Sequence, residues 1–364
     1  MMFKWLLMFA PVFAFAQADS TAQRQEEVQF QNLFSSEMKA GVACYRIPAL
    51  ITAANGDLIA AIDERVPNCG DLRDNDDINI VVRRSEDDGR NWSAMESVID
   101  YPKGESASDP SFILDEVTGD VFMLYNYMDL VKAKGVYRLK MVRSNDHGKS
   151  WTEPVDITTQ ITKPAWKEDF QFITSGRGTQ TKSGRLLHTL VNLQRGLFVF
   201  GSDDHGATWF LIDTPIKPGD ESKIVALEDG RWMINSRVAK SGLRFVHTST
   251  DEGKSWQTRA DSSLVDPACN AGFIRVPKMG EDDHDILLFS NANHVTDRIN
   301  LSLRFSVDEG KSWSKGMAIY AGGAAYSSMT ILRDGAIGLF FEKDDYQENV
   351  FVRIPFDWIV EKRD

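Results

Sequence analysis

Five stretches of eight residues decide the fold: SEDDGRNW at 85–92, SNDHGKSW at 144–151, SDDHGATW at 202–209, STDEGKSW at 249–256 and SVDEGKSW at 306–313. All read Ser-x-Asp-x-Gly-x-x-Trp, and successive serines lie 59, 58, 47 and 57 residues apart. The chemistry is that of a turn. Ser and Asp side chains hydrogen-bond nearby backbone N–H groups, Gly supplies a positive φ, and Trp buries a large ring against a neighbouring unit. Each copy follows a β-like run (INIVVRRS, LKMVRS, LFVFGS, LRFVHTS, INLSLRFS), so the motif closes a hairpin.

A second turn signal alternates with the first. It is Asn55-Gly56 before DLIAAI, Gly119 before DVFMLY, Gly184 before RLLHTL, Gly230 before RWMINS, Asp283-His284-Asp285 before ILLFS, and Gly335 before AIGLFF. The order strand, Gly turn, strand, loop, strand, Asp-containing turn, strand recurs about every 57 residues. Six such units predict an all-β chain folded as a six-bladed β-propeller of four-stranded antiparallel blades, a single domain over residues 26–364. The sixth unit lacks the Asp motif, and the segment from Val28 to Leu33 is expected to supply its outer strand.

At 364 residues and 42% hydrophobic composition the chain can bury a large core. Its start, MMFKWLLMFAPVFAFAQADS, has one cation (Lys4), an apolar run from Trp5 to Phe15 and the small-x-small step Ala14-Phe15-Ala16. That layout reads as a signal peptide over residues 1–16 followed by a short segment at 17–25, hence export to the periplasm or beyond. The competing reading is a retained anchor. No later segment approaches roughly 20 uninterrupted apolar residues, so no stable membrane span is expected. Removing Lys4 shifts the formal charge from −12 to −13, which argues against nucleic acid as a partner. Three cysteines, Cys44, Cys69 and Cys269, cannot form a disulfide framework. Cys44 and Cys69 either pair or are two small buried side chains. No metal-ligand cluster stands out, so neither metal nor cofactor is expected, and nothing in the repeat requires more than a monomer.

In a four-stranded meander the turns joining strands 1 to 2 and 3 to 4 share one end. Both turn signals therefore mark the same end, and binding residues belong at the other. The charged residues expected there are Arg46, which opens a first strand in Tyr45-Arg46-Ile47-Pro48, Arg65, which ends a second strand, and Asp71 in the loop that follows. Asp109 opens the next unit in Ser108-Asp109-Pro110-Ser111. Glu221 and Arg237 flank the fourth unit's first hairpin, Arg298 precedes a third strand, Tyr326 opens the sixth unit and Glu342 ends its second strand. Three arginines around one mouth need an anion, and a carboxylate suits their fork geometry. Glu221 beside Tyr326 could ease formation of a phenolate, and Asp71 is placed to exchange a proton with a leaving oxygen.

In that order, Tyr-Arg-Ile-Pro, the Asp-containing boxes, Ser-Asp-Pro-Ser, the Glu221 to Arg237 segment and the Arg298 to Tyr326 spacing resemble the sialidase family over nearly the whole mature chain. The resemblance implies an exo-α-sialidase acting on sialylated glycans, glycoproteins or glycolipids, with retention. Arg46, Arg237 and Arg298 would bind the sialic acid carboxylate, with Glu342 holding Arg46. Tyr326 would be the nucleophile, Glu221 its base, and Asp71 the acid and then the base. Arg65 and Asp109 would face the glycerol, N-acetyl or 4-hydroxyl side of the sugar. Tyrosine serves here because the substrate's own carboxylate repels an anionic nucleophile. Tyr125, Trp166 and Phe170 are expected to line the apolar part of the pocket. Bland readings compete: surface ion pairs for Arg46 and Arg237, Arg304 or an Asp297 pair in place of Arg298, a packed Tyr326, Asp74, Asp76 or Asp77 in place of Asp71, and a surface cluster of Arg65 with Asp63 and Glu64. A transferase, an enzyme releasing an anhydro-sugar, and a non-catalytic sialoglycan-binding propeller are the functional rivals.

Overall fold

The computed structural model describes residues 29–278 and 285–360. The expected signal peptide at 1–16, the segment at 17–25, Val28, and the turn residues Asp283 and His284 lie outside the described residues. Among the described residues no helix is long and apolar enough to cross a membrane.

Four antiparallel sheets follow the expected order of strands. The first pairs Cys44–Thr52, Leu58–Arg65, Ile78–Ser85 and Glu96–Ile99, and the second Glu105–Leu114, Val121–Asp129, Arg138–Ser144 and Val155–Asp156. The third is built on Gln171–Ile173, Leu186–Asn192, Gly196–Ser202 and Phe210–Ile216, and the fourth on Ser222–Ala226, Trp232–Ser236, Leu243–Ser249 and Gln257–Val265. Their first strands touch those of neighbouring sheets, so each sheet radiates from a shared axis in a propeller-like arrangement. The third sheet's inner edge is interrupted, and Gly176–Arg177 pairs in parallel with Ser111 and Phe112 of the second sheet.

The remaining strands differ from the expected pattern of six separate blades. They form one seven-stranded sheet, from Gly272–Val276 through Ile286–Ala292, Ile299–Ser306, Met317–Ile331, Ile337–Lys343 and Glu348–Ile354 to Phe30–Phe34. Met317–Ile331 is the reason. It pairs with Ile299–Ser306 through residues 317–323 and with Ile337–Lys343 through 324–331, and Gly322-Gly323 at the junction stay in the strand instead of turning the chain. The N-terminal strand Phe30–Phe34 lies antiparallel to Glu348–Ile354 at the edge, so the first described strand pairs with the last.

The five Ser-Asp-Gly-Trp turns are built alike. In each, the serine Oγ accepts from the glycine N–H, at 2.9 Å for Gly89, 2.7 Å for Gly148 and 2.8 Å for Gly206, Gly253 and Gly310. The aspartate then accepts from the serine hydroxyl, as Asp146 does from Ser144 at 2.8 Å. Glycine is required because φ lies between 75° and 82° in all five, and because a Cβ would strike the neighbouring sheet at Gly89, Gly148 and Gly206 and crowd its surroundings at Gly253 and Gly310. Gly148 faces Ile59 of the first sheet, Gly206 faces Phe122 of the second, and Gly310 faces Met233 of the fourth. Gly89 of the first sheet faces Phe351 of the seven-stranded sheet, beside Trp92, whose ring centroid lies 5.1 Å from that of Phe351. The motif therefore docks one sheet onto the next, and the core runs between sheets as clusters of aliphatic and aromatic side chains.

Ser144→Ala strands the buried Gly148 N–H and removes one of the donors to Asp146, which should lower unfolding free energy by about 1–3 kcal/mol. Urea melts should show a lower midpoint with an unchanged slope. An unaltered midpoint would contradict the scaffold role.

Candidate active site

At the end away from these turns, the innermost strands are bulged. Register slips fall between Arg46 and Ala49, between Ser108 and Ser111, and between Ala324 and Ser327. A bulge re-aims side chains and leaves backbone amides without ladder partners. Ile47 (φ 68°) and Asp109 (φ 62°) are held in the left-handed region, which is costly for non-glycine residues and needs enforcement by the surroundings.

Two buried carboxylates enforce it. Glu342, fully buried, accepts from the Ile47 N–H at 2.9 Å and the Tyr326 N–H at 3.0 Å, and from Arg46 Nε at 3.2 Å. Asp63, also fully buried, accepts from the Asp109 N–H at 2.9 Å, Ser108 Oγ at 2.7 Å and Arg65 Nη2 at 3.0 Å. Each carboxylate stands near the end of a second strand and reaches a bulge in the first strand of the next part of the chain's ring.

Above this floor the Tyr326 hydroxyl donates to Glu221, with its oxygen 2.7 and 2.8 Å from the two carboxylate oxygens. Arg237 Nη1 pairs with Glu221 and also donates to the phenolic oxygen at 3.0 Å. The Arg46 and Arg298 guanidinium carbons lie 5.7 and 5.4 Å from the Tyr326 ring centroid. Tyr346 joins these two cations. Its ring stacks 4.0 Å from the Arg46 guanidinium, and its hydroxyl accepts from Arg298 Nη1 at 3.1 Å. The Ala268 carbonyl fixes the other arm of Arg298 at 3.2 Å. Asp71 sits at the rim with its side chain 79% exposed, 2.8 Å from Arg65 Nη1 and 3.8 Å from Arg46 Nη1. The cavity enclosed is about 380 Å³, enough for one sugar ring, and its other wall is apolar: Leu72, Tyr137, Phe170, Phe172 and Leu193.

Burial, and then the Glu221 carboxylate, hold the Tyr326 phenol well above its ordinary value, against the opposing pull of Arg237. Burial alone would raise Asp71, but Arg65, then Arg46 and Arg298, bring it below the usual carboxylate range. Burial, and then the neighbouring Asp63, push Asp109 up. The phenol is thus unionised in the free cavity, with Arg46, Arg237 and Arg298 around it.

A family model described as a BNR repeat-like domain matches residues 56–339. The chain belongs to the sialidase family. It is 34% identical to a sialidase of Micromonospora viridifaciens over 336 residues, 84% of this chain and 50% of that protein. A sialidase of Bacteroides fragilis is 27% identical, over 82% of this chain and 60% of its own length. The chain thus spans about half the length of the first relative and three-fifths of the second. Among solved structures, the Hadza microbial sialidase Hz136 superposes with a TM-score of 0.81 at 26% identity, covering 91% of this chain and 69% of that one. A leech intramolecular trans-sialidase, at 19% identity and a TM-score of 0.79 over 92% of this chain and 71% of that one, shares the fold.

In this sialidase-family chain the expected residues Arg46, Asp71, Asp109, Glu221, Arg237, Arg298 and Tyr326 all line one cavity. Arg65 and Glu342 lie beneath it. Arg65, 1% exposed, is not the surface cluster its neighbours suggested, because Glu64 turns away to Tyr45 and Lys39 while Asp63 and Asp71 hold the guanidinium. Two pocket-wall expectations fail. Tyr125 is fully buried with its hydroxyl 2.9 Å from that of Tyr101, and Trp166 packs on Phe198, so only Phe170 reaches the cavity. Cys44 and Cys69 are bridged, tying the strand of Arg46 to the loop of Asp71, and Cys269 is free and buried behind Tyr326. Asp63 and Tyr346 were missed. The signal for Asp63 was an acid ending an apolar strand (LIAAID), the same position Glu342 occupies in IGLFFE. Tyr346 lies in a turn of three positive-φ residues, which no local pattern marks.

Labelling tyrosine at Cζ with ¹³C tests the electrostatics. The Tyr326 resonance should stay flat through pH 10, and Glu221→Gln, by removing the adjacent negative charge, should bring its titration to lower pH. Titration of wild-type Tyr326 near 10 would refute this.

Proposed function

We propose that the chain is an exo-α-sialidase that releases terminal sialic acid from glycoconjugates with retention, acting as an exported monomer. The observation that carries this reading is the Tyr326 phenol clasped by Glu221 beneath three convergent arginines. The substrate carboxylate lies across Arg46, Arg237 and Arg298, which sets the anomeric carbon over the phenolic oxygen. As that oxygen attacks, its proton passes to Glu221, while Asp71 protonates the departing glycosidic oxygen. The product of this step is a tyrosyl sialoside. Asp71 then takes a proton from water, the water oxygen attacks the anomeric carbon, and Tyr326 leaves with the proton returned by Glu221. The high phenol pKa supports this order: a free phenolate would be repelled by the substrate's carboxylate, whereas a neutral phenol ionises only during attack.

Asp109 at the cavity wall, held by Asn126 Nδ2 at 3.0 Å, suits the sugar's hydroxyl and acylamino side, and the apolar wall around Phe170 suits an acyl methyl. We also infer that the seven-stranded sheet works as two blades sharing Met317–Ile331. Six first strands then surround the axis, and the site draws residues from five blades.

Mixing the protein with a sialyl-lactose donor in an NMR tube should give free sialic acid, first as the α-anomer. Tyr326→Phe should reduce kcat by roughly 10³-fold or more. A transferred or anhydro product in place of free sialic acid would favour the transferase readings, and unimpaired turnover by Tyr326→Phe would rule out the mechanism. The pH profile is a second check. Asp71 must be protonated to act first, and the arginine field lowers its pKa in the free protein. Substrate carboxylate offsets that field, so the basic-side fall of kcat should lie at higher pH than that of kcat/KM. Coincident limbs would show that Asp71 is not the acid.

A further inference from the structure

The axis has a second mouth, at the end carrying the Ser-Asp-Gly-Trp turns. It opens into a cavity of about 540 Å³ formed by the far ends of the innermost strands, including Thr52, Leu114, Ala226, Arg275 and Thr330. Nothing in the catalytic reading uses it.

Arg177 enters this cavity from the interrupted inner edge of the third sheet and crosses to the seven-stranded sheet. Its Nη1 donates to the Met329 carbonyl at 3.3 Å and to Thr330 Oγ1 at 3.5 Å, both near the long limit for a hydrogen bond. Among the described residues no carboxylate lies within salt-bridge distance of it, and its Nε and Nη2 have no partner. The other cations of the lining are already engaged: Arg275 pairs with Asp285, and Lys182 donates to the Glu228 carbonyl at 2.7 Å. Deeper on the axis, Lys223 is 2% exposed and donates to Asn270 Oδ1 at 2.6 Å, with no carboxylate within salt-bridge distance among the described residues. Two cations therefore stand on the axis of a chain whose formal charge is −12. Burial pulls Arg177 down to about 10, against the pull of Glu116 in the same lining, and Lys223 down to about 7, against that of Glu221; neither acid comes within salt-bridge distance.

We propose that this second mouth is a binding site for a small oxyanion, with the Nε and Nη2 edge of Arg177 as its two-pronged donor. Planar guanidinium matches two oxygens of a carboxylate, sulfate or phosphate group. The Thr181 and Lys182 rim lies beside it. The site is separate from the arginines around Tyr326 and does not depend on the sialidase reading.

Inorganic sulfate is the probe. At matched ionic strength, sulfate in place of chloride should raise the melting temperature of the wild-type protein, because a ligand that binds only the folded state stabilises it. Arg177→Met should lose at least half of that rise while keeping sialoside turnover. An equal rise in both proteins would overturn the proposal. Should Arg177→Met fail to fold, phenylglyoxal labelling of the unaltered protein, mapped by peptide mass spectrometry, decides. Sulfate, and not chloride, should protect Arg177, and absence of protection would refute the site.

Discussion

The fork of Glu342 is the contact on which the catalytic end depends. One buried carboxylate accepts the amides of Ile47 and Tyr326, from two bulged strands of different sheets, and braces the guanidinium of Arg46. Without it, two buried N–H groups would lack partners and a positive-φ isoleucine would lose its restraint, each a cost of a kcal/mol or more by general experience. The same oxygens thus fix where Arg46 and the phenol stand relative to each other. Asp63 repeats the device one sheet on, for Ser108 and Asp109. Strain at the bulges and its relief by buried acids are two sides of one arrangement.

The two ends of the axis divide the work. Turns with internally satisfied serines and aspartates dock the sheets at one end, where regular geometry matters. At the other end regularity is given up, and strands bend to aim Arg46, Asp109 and Tyr326 into a common cavity. Tyr346 shows how dense the result is, since one side chain stacks on one arginine and accepts from another. Such shared partners keep three like charges close together without collapse of the cavity.

Much of this was legible in the sequence, for a physical reason. Turn chemistry is local: Ser, Asp and Gly at fixed offsets imply their own hydrogen bonds, so the repeat, the strand order and the chemical end follow from spacing. Site residues at strand ends inherit that placement, which is why Glu221, Arg237 and Tyr326 meet where expected. Contacts that cross between distant strands were not legible. Asp63 looked like a surface partner because its target amide lies 46 residues away. Tyr125 sits on a strand and Trp166 in the 3-10 turn Pro164–Trp166, yet packing turns both inward, and the unbroken Met317–Ile331 strand hides a boundary because Gly322-Gly323 do not turn the chain. The Cys44–Cys69 bridge depended on a strand start and a loop coming together in space.

The central claim is that a tyrosine attacks the sugar. Rapid acid quench of the protein during turnover of an aryl sialoside, followed by peptide mass spectrometry, reads it directly. One sialyl residue should appear on the peptide containing Tyr326, at the oxygen held by Glu221. An adduct on Glu221 or Asp71 instead, or a first product of inverted configuration with no adduct, would contradict it.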